Sequence, residues 1–476
     1  MRSPTHLAFA VLAAAAVVGS LGASAATAAP SVAKMPLLTA SERHAGSGAR
    51  LWIKRYNGPA NGSDDASSVA VSPAGSAVFV TGTSTATSPG QPGDYLTVAY
   101  NAATGARMWT ARYNGPANSF DEASAVTVSP DGSTVFVTGG SEGDTGDSPD
   151  FATVAYRASD GTRLWVARFD GPSHAGGTAA ALSVARDGSA VFVTGTSYDS
   201  ASANSGITTV AYRASDGTQL WMKDWAPASC CNYYGRAIVS PGGNRVFVTG
   251  LVQSATVTAE YGTVAYNATT GARLWSRRLA GTGATSIAVS PDLAKVYVTG
   301  MSHFDYTTLA YSARSGARLW LKRYNGGKNY LDQADSVAVS PAGTVLVTGL
   351  SNGPSSSPPS DYATVAYSPT GAQLWVRRYN GPGNKADTAY AVAAPGNGKA
   401  YVTGSSWGGS ATGYDYATVA YNIRTGATVW VGRYNGAGNG ADKAVSLAAR
   451  GSRVFVTGGS PGTASEDDYA TIAYNR

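Results

Sequence analysis

The sequence predicts an all-β fold, a single eight-bladed β-propeller of four-stranded antiparallel blades, on three observations. A Leu-Trp dipeptide or its equivalent places Trp52, Trp109, Trp165, Trp221, Trp275, Trp320, Trp375 and Trp430 at steps of 57, 56, 56, 54, 45, 55 and 55 residues. A Val-Thr-Gly triplet and a Thr-Val-Ala-Tyr run recur with the same period, from residues 80–82 and 97–100 to 456–458 and 471–474. Units of this length carrying four strand-like runs are the signature of propeller blades. Composition agrees: 58 Gly and 27 Tyr against 13% charged residues suit tight turns and aromatic packing on pleated faces. No stretch beyond the N-terminus has the apolar spacing of a capped helix.

Taken in order, residues 1–28 read as a signal peptide, with Arg2, an apolar core at 7–18 and a small-residue cleavage site at 26–28 or 23–25. That core is shorter than the ~20 apolar residues needed to cross a bilayer. The expectation is therefore a secreted, extracellular chain without a membrane span. Residues 29–46 read as a flexible leader and 47–476 as the propeller domain. Removing the signal leaves a charge of 34 − 29 = +5 with no basic run, so nucleic acid is not an expected partner. A monomer is expected.

The second unit sets the strand order. Residues 125–129 alternate and end at Pro130-Asp131-Gly132, a turn signal. Runs at 135–139, 151–156 and 163–169 follow. These are strands A, B, C and D, from channel to rim. With that phase, residues 442–474 supply A, B and C of blade eight. Strand D of that blade is expected to come from residues 50–57, near the other end of the chain. Closing the ring in this way removes two unpaired blade edges.

Charge spacing adds a second layer. Arg recurs three residues after each repeat Trp, at 55, 112, 168, 278, 323, 378 and 433, and an acid recurs six residues before each strand-C Tyr, at Asp94, Asp150, Glu260, Asp305, Asp361, Asp415 and Asp468. With a five-residue C–D turn at 101–105, Asp94 falls directly opposite Arg112, and likewise Asp150 opposite Arg168 and Asp468 opposite Arg55. Blade three lacks both partners, having Gly206 and Asp224 instead. A cross-strand ion pair predicts that joint loss, and it contributes ~0.2–1 kcal/mol.

Residues 56–59 through 69–73 and 78–82 (Tyr-Asn-Gly-Pro, Val-Ala-Val-Ser-Pro, Val-Phe-Val-Thr-Gly) resemble the SBBP-type β-propeller repeat. That resemblance implies exported or surface proteins with interaction roles. Ala99, Asn101, Thr104, Gly105 and Trp109 resemble the tryptophan-docking motif of PQQ-dependent quinoproteins, with Asn in the Asp position. Some of those enzymes carry a disulfide between adjacent cysteines beside the cofactor, and Cys230-Cys231 is similar to that feature. No position matches their catalytic Asp or calcium ligands.

Candidate binding residues cluster where the repeat is broken. Asp65, Asp121, Asp335, Asp387 and Asp442 precede strand A elsewhere. Blades three to five lack that acid and offer His174, Trp225, Cys230, Cys231, Tyr233, Tyr234 and His303. Cys230 and Cys231, between blades three and four near the channel mouth, are read as a rigid or redox-responsive bridged wedge beside a ligand, as a structural bridge tying down one loop, or as two thiols that join another chain. Four Gly-x-Ser-x-Gly matches, at Ser141, Ser351, Ser406 and Ser460, lack the strand–turn–helix of a nucleophile elbow. Asp144, Asp147 and Asp150 lack the spacing of a calcium loop, and four His in all leave little for zinc.

The reading is a secreted, non-catalytic binding or scaffold propeller for a glycan, peptide or protein at the channel mouth, with no catalytic residue, metal or cofactor expected. One alternative is a quinoprotein-like redox enzyme using PQQ and Ca²⁺ beside Cys230-Cys231. A weaker one is a polysaccharide hydrolase or lyase.

Overall fold

The computed structural model describes residues 46–476 apart from 86–91, 144–148, 172–173, 200–203, 227–230, 243, 255–256, 328–329, 354–358 and 464. Among the described residues, thirty-two strands form eight four-stranded antiparallel sheets. Blades one to seven span residues 64–113, 121–169, 177–225, 231–280, 284–324, 332–379 and 387–434. Blade eight joins both ends of the chain, in the order Arg50–Tyr56, Asp467–Asn475, Arg453–Pro461, Lys443–Arg450. None of the described residues forms a helix long and apolar enough to cross a membrane.

At the seam, Trp52 pairs with Ala473 and Tyr56 with Tyr469. Gly48 N–H donates to the Asn475 carbonyl and Asn475 N–H to that of Ala49, both at 2.8 Å. The expected strand exchange is therefore the observed one. In blade two, strand A starts earlier than expected, at Asp121 rather than 125, because a bulge after Ala123 offsets the alternation that marks it.

Blades adhere through the repeat residues. The Trp109 indole N–H donates to the Ala158 carbonyl of the next blade at 2.9 Å. Its ring lies under Gly161, whose φ of +75° and 2.7 Å approach leave no room for a Cβ. Seven of the eight repeat Trp side chains make this bond, the acceptors at blades six and seven being Pro369 and Ile423. Trp430, at the seam, has no partner for its indole N–H among the described residues. Asn101 serves the docking turn as an aspartate would, its Oδ1 accepting from the backbone N–H of Ala103 and Thr104 at 3.0 and 3.1 Å.

The ion pairs form, but not in the expected register. Arg112 pairs across the strands with Leu96, not with Asp94. Tyr100 meets Arg107 instead of Ala106, and a bulge at Met108 inserts one more residue. The total slip of two keeps both side chains on one face, so the pair closes diagonally, within reach of a long side chain. Arg55–Asp468, Arg168–Asp150, Arg378–Asp361 and Arg433–Asp415 close at 2.7–3.0 Å, Arg112–Asp94 at 3.4 Å, and Arg278 also pairs with Glu260. Blade five departs from expectation: Asp305 accepts from the Asn325 amide at 2.8 Å instead of pairing with Arg323.

These arginines do more than pair. Arg168 also donates to the Tyr113 hydroxyl of the previous blade at 2.9 Å and to Ser141 Oγ at 2.6 Å. Arg378, Arg433 and Arg55 hold Ser351, Ser406 and Ser460 in the same way. All four serines of the Gly-x-Ser-x-Gly matches are thus fully buried acceptors, which accounts for their recurrence without catalysis. In blade three the whole chain of contacts is gone: Phe169 replaces the tyrosine, and the Asp224 carboxylate fills the space above Gly206 where a Cβ would collide with it. Asp224 instead accepts from Thr208 at 2.8 Å.

Candidate ligand-binding channel

Strand A of every blade carries a bulge at one position, leaving Ser67, Ser124, Ala180, Arg236, Thr285, Asp335, Tyr390 and Val445 without a ladder partner. A bulge bends its strand and re-aims the extra side chain. Strand A is the innermost strand, so the bulged residues and those two before them ring the channel. In most blades the bulged residue is small. Blades four, six and seven instead supply Arg236, Asp335 and Tyr390.

Asp335 senses Arg236 from blade four and Lys443 from blade eight. Each lies two blades away, an arrangement that only a group facing the channel permits. Gln333 Nε2 donates to Asp335 Oδ1 at 2.7 Å. Its Oδ2 has neither solvent contact nor a hydrogen-bond partner among the described residues. Lys443 Nζ stands 4.9 Å from the centre of the Tyr390 ring. Nearer the mouth, the Asp65 carboxylate rests against Gly459, and Asp467 Cβ lies 3.9 Å from where a Cβ of Gly459 would be.

Dehydration pushes every one of these groups toward neutrality. Burial raises the Asp335 carboxyl to about 7, against the pull of Gln333, Arg236 and Lys443. Burial, reinforced by Asp65, Asp442, Asp468 and Glu466, raises Asp467 to about 6. Burial also raises Asp65 and Glu122 and lowers Lys443 and Arg236. No ion pair within 4.0 Å joins any of these channel charges among the described residues, whereas six arginines farther out on strand D are paired.

An acid raised in the folded state stabilises the fold below its unfolded pKa, and that contribution is lost as pH rises through the folded one. For Asp335 the window runs from about 4 to about 7. Asp335→Asn keeps the acceptor for Gln333 and is expected to be on the order of 1–2 kcal/mol more stable at pH 8, discounted because the channel admits water. The gain should be smaller at pH 5. Melting curves at both values check this, and equal gains would refute it.

The sequence-selected residues scatter over this face. Tyr234 is half-buried in strand A of blade four, electrostatically coupled to Arg236. Trp225 is 3% exposed in the core between blades three and four, with Ile207 and Val264. It takes the place that Tyr holds in five of the units, four residues after the repeat Trp, so a ligand reaches it only if the blades part. His174 is exposed, with Nδ1 3.0 Å from Asp170 Oδ2. His303 lies two blades on, in a two-residue B–C hairpin with Phe304, at φ values of 56° and 66°. Phe304 is 58% exposed. Cys230 lies outside the described residues, as do Asp144 and Asp147, and Cys231 and Tyr233 are described only as backbone of strand A.

Two placements need correcting. The carboxylates that hold the D–A turns are Asp64, Asp121, Asp332, Asp387 and Asp442, which accept from Gly58, Gly115, Gly326, Gly381 and Gly436 N–H at 2.5–2.7 Å. Asp65 and Asp335 sit one and three residues farther on, and the pleat and bulge turn them inward. The second non-repeat Trp was overlooked. Trp407, on the B–C hairpin of blade seven, stands T-shaped to Tyr414 at 5.1 Å with Lys385 Nζ 4.5 Å from its ring centre. Ten Trp against eight repeat positions was the available signal. On the opposite face, a cavity of about 880 Å³ between blades three and four is lined by Arg186, Arg213, Leu220 and Asn244.

A family model described as outer membrane protein assembly factor BamB matches residues 204–357. No curated protein matches the sequence. Among solved structures, Chaetomium thermophilum Sqt1 bound to the N-terminus of the ribosomal protein L10 is similar over 90% of this chain and 100% of its own, at 12% identity and a TM-score of 0.57. A quinohemoprotein alcohol dehydrogenase from Pseudomonas putida HK5 is similar over 92% and 78%, at 13% identity and 0.56. The Dos1 propeller is similar over 90% and 95%, at 12% identity and 0.53. The fold shared with these structures is the β-propeller.

Proposed function

We propose that this chain is an exported, non-catalytic binding propeller that takes a protein or peptide segment at its channel mouth. The observation that carries the reading is the set of dehydrated, mutually unpaired charges on strand A. Buried unpaired charge is costly, and a ligand that supplies the missing partners offsets that cost. The likeness to Sqt1, solved with the N-terminus of a ribosomal protein, supports a protein segment as the ligand class. Export rests on residues 1–28.

A peptide array probed with the labelled chain tests the reading. Bound peptides should weaken at least about tenfold in an Arg236→Gln, Asp335→Asn, Lys443→Met triple variant, the scale of losing desolvated charge pairs. They should be unaffected by Arg186→Gln on the opposite face. Hits indifferent to the triple variant would place the site elsewhere, and hits on a glycan array alone would change the ligand class. A visible spectrum after incubation with PQQ and Ca²⁺ separates the redox alternative: a bound quinone would replace the binding reading.

A further inference from the structure

Resting on that reading, we infer that the segment enters the channel by a free C-terminal carboxylate, received by Arg236 and Lys443, and carries a basic side chain upstream over Asp65 and Glu122. The inner charges motivate the first half. Arg236 and Lys443 make no side-chain hydrogen bond among the described residues, and no carboxylate stands within 4.0 Å of either. An enclosed guanidinium without acceptors is a fork shaped for a carboxylate, which it binds through two parallel hydrogen bonds.

The third inner group fits the same ligand. Asp335 Oδ2 is buried, with no hydrogen-bond partner among the described residues, so this carboxyl acts on an incoming carboxylate through its charge. Its own charge, when present, repels the same ligand. The groups facing Asp335 are Arg236 from blade four, Tyr306 from blade five, Tyr390 from blade seven and Lys443 from blade eight, with Gln333 on its own strand. Of these, burial holds the Tyr306 hydroxyl protonated through the working range and raises Tyr390 to about 12. Asp335, raised to about 7, is the inner acid whose protonation changes between pH 6.5 and 8.5.

The outer charges set the second half. Asp65, Glu122, Glu466 and Asp467 lie along blades eight, one and two at the mouth, coupled to one another. Lys443 is the cation coupled to this arc, and it is drawn inward toward Tyr390 and Asp335. The channel is thus negative at this side of its mouth and positive below. A peptide with a terminal carboxylate and a Lys or Arg a few residues earlier has the complementary order.

Calorimetry with the full chain tests this on N-acetylated Gly-Lys-Gly-Gly-Ala, as free acid and as C-terminal amide, with Glu-for-Lys peptides alongside. The free acid should bind roughly tenfold or more tightly than the amide, and Arg236→Gln should abolish the difference. Affinity for the free acid should rise between pH 8.5 and 6.5, and Asp335→Asn should remove that rise while keeping the tight binding. Equal binding of acid and amide, both lost in the channel triple variant, would overturn the carboxylate inference and leave the binding propeller standing. Tight binding of the acid unaffected by Arg236→Gln and by the triple variant would overturn both. Preference for the Glu peptide would overturn the basic arc.

Discussion

Deleting residues 47–57 is expected to lower the melting temperature by several degrees or to cause aggregation. The deletion removes the whole of strand D in blade eight, Arg50–Tyr56. Trp52, 8% exposed, leaves a core that includes Val69, Val98 and Phe455. Arg55 takes with it its bonds to Asp468, Ser460 and the Tyr434 hydroxyl. Strand C of blade eight becomes an open edge, a row of unpaired N–H and C=O groups that templates association. A synthetic peptide of residues 47–57 added to the deleted chain should restore part of the loss. An unchanged melting curve would mean that the ring closes without this strand.

Trp109→Ala is expected to cost about 3–5 kcal/mol, as truncation of a buried aromatic does when the site cannot collapse. Two rigid strands and Gly161 frame the ring, so the void persists, and the Ala158 carbonyl loses its 2.9 Å donor. Trp430→Ala should cost clearly less. That side chain is only half-buried, and its N–H has no acceptor among the described residues. Urea midpoints for the two variants give the comparison. Equal losses would show that the indole hydrogen bond and the tighter enclosure contribute nothing measurable.

The ring and its seam were legible because the repeat states them directly: a Trp period near 55 residues and two half-units at opposite ends. The Arg–acid pairs were legible because a slip of two preserves the face of a strand. The bulge at Met108 was not, since an extra residue leaves no mark on the period. The same blindness hid the channel. Arg236, Asp335 and Tyr390 owe their inward aim to bulges. Asp335 stands three residues from a turn carboxylate and was grouped with it. Trp225 looked exceptional by its residue type, yet it keeps the spacing of a structural tyrosine, and the core claims it.

The seam has a consequence in time. Trp52 pairs with Ala473, so 473 − 52 = 421 residues must be made before this strand meets its partner. At about 5–20 residues per second, synthesis keeps it waiting for roughly 20–80 s. Through that interval an apolar, β-prone heptapeptide stands without a sheet, which is the usual seed of aggregation. Its sequence, Arg-Leu-Trp-Ile-Lys-Arg-Tyr, sets three cations among the apolar residues, the placement that guards unpaired strands against one another. The guanidinium that later locks the ring to Asp468 thus first serves to keep the newborn strand solitary.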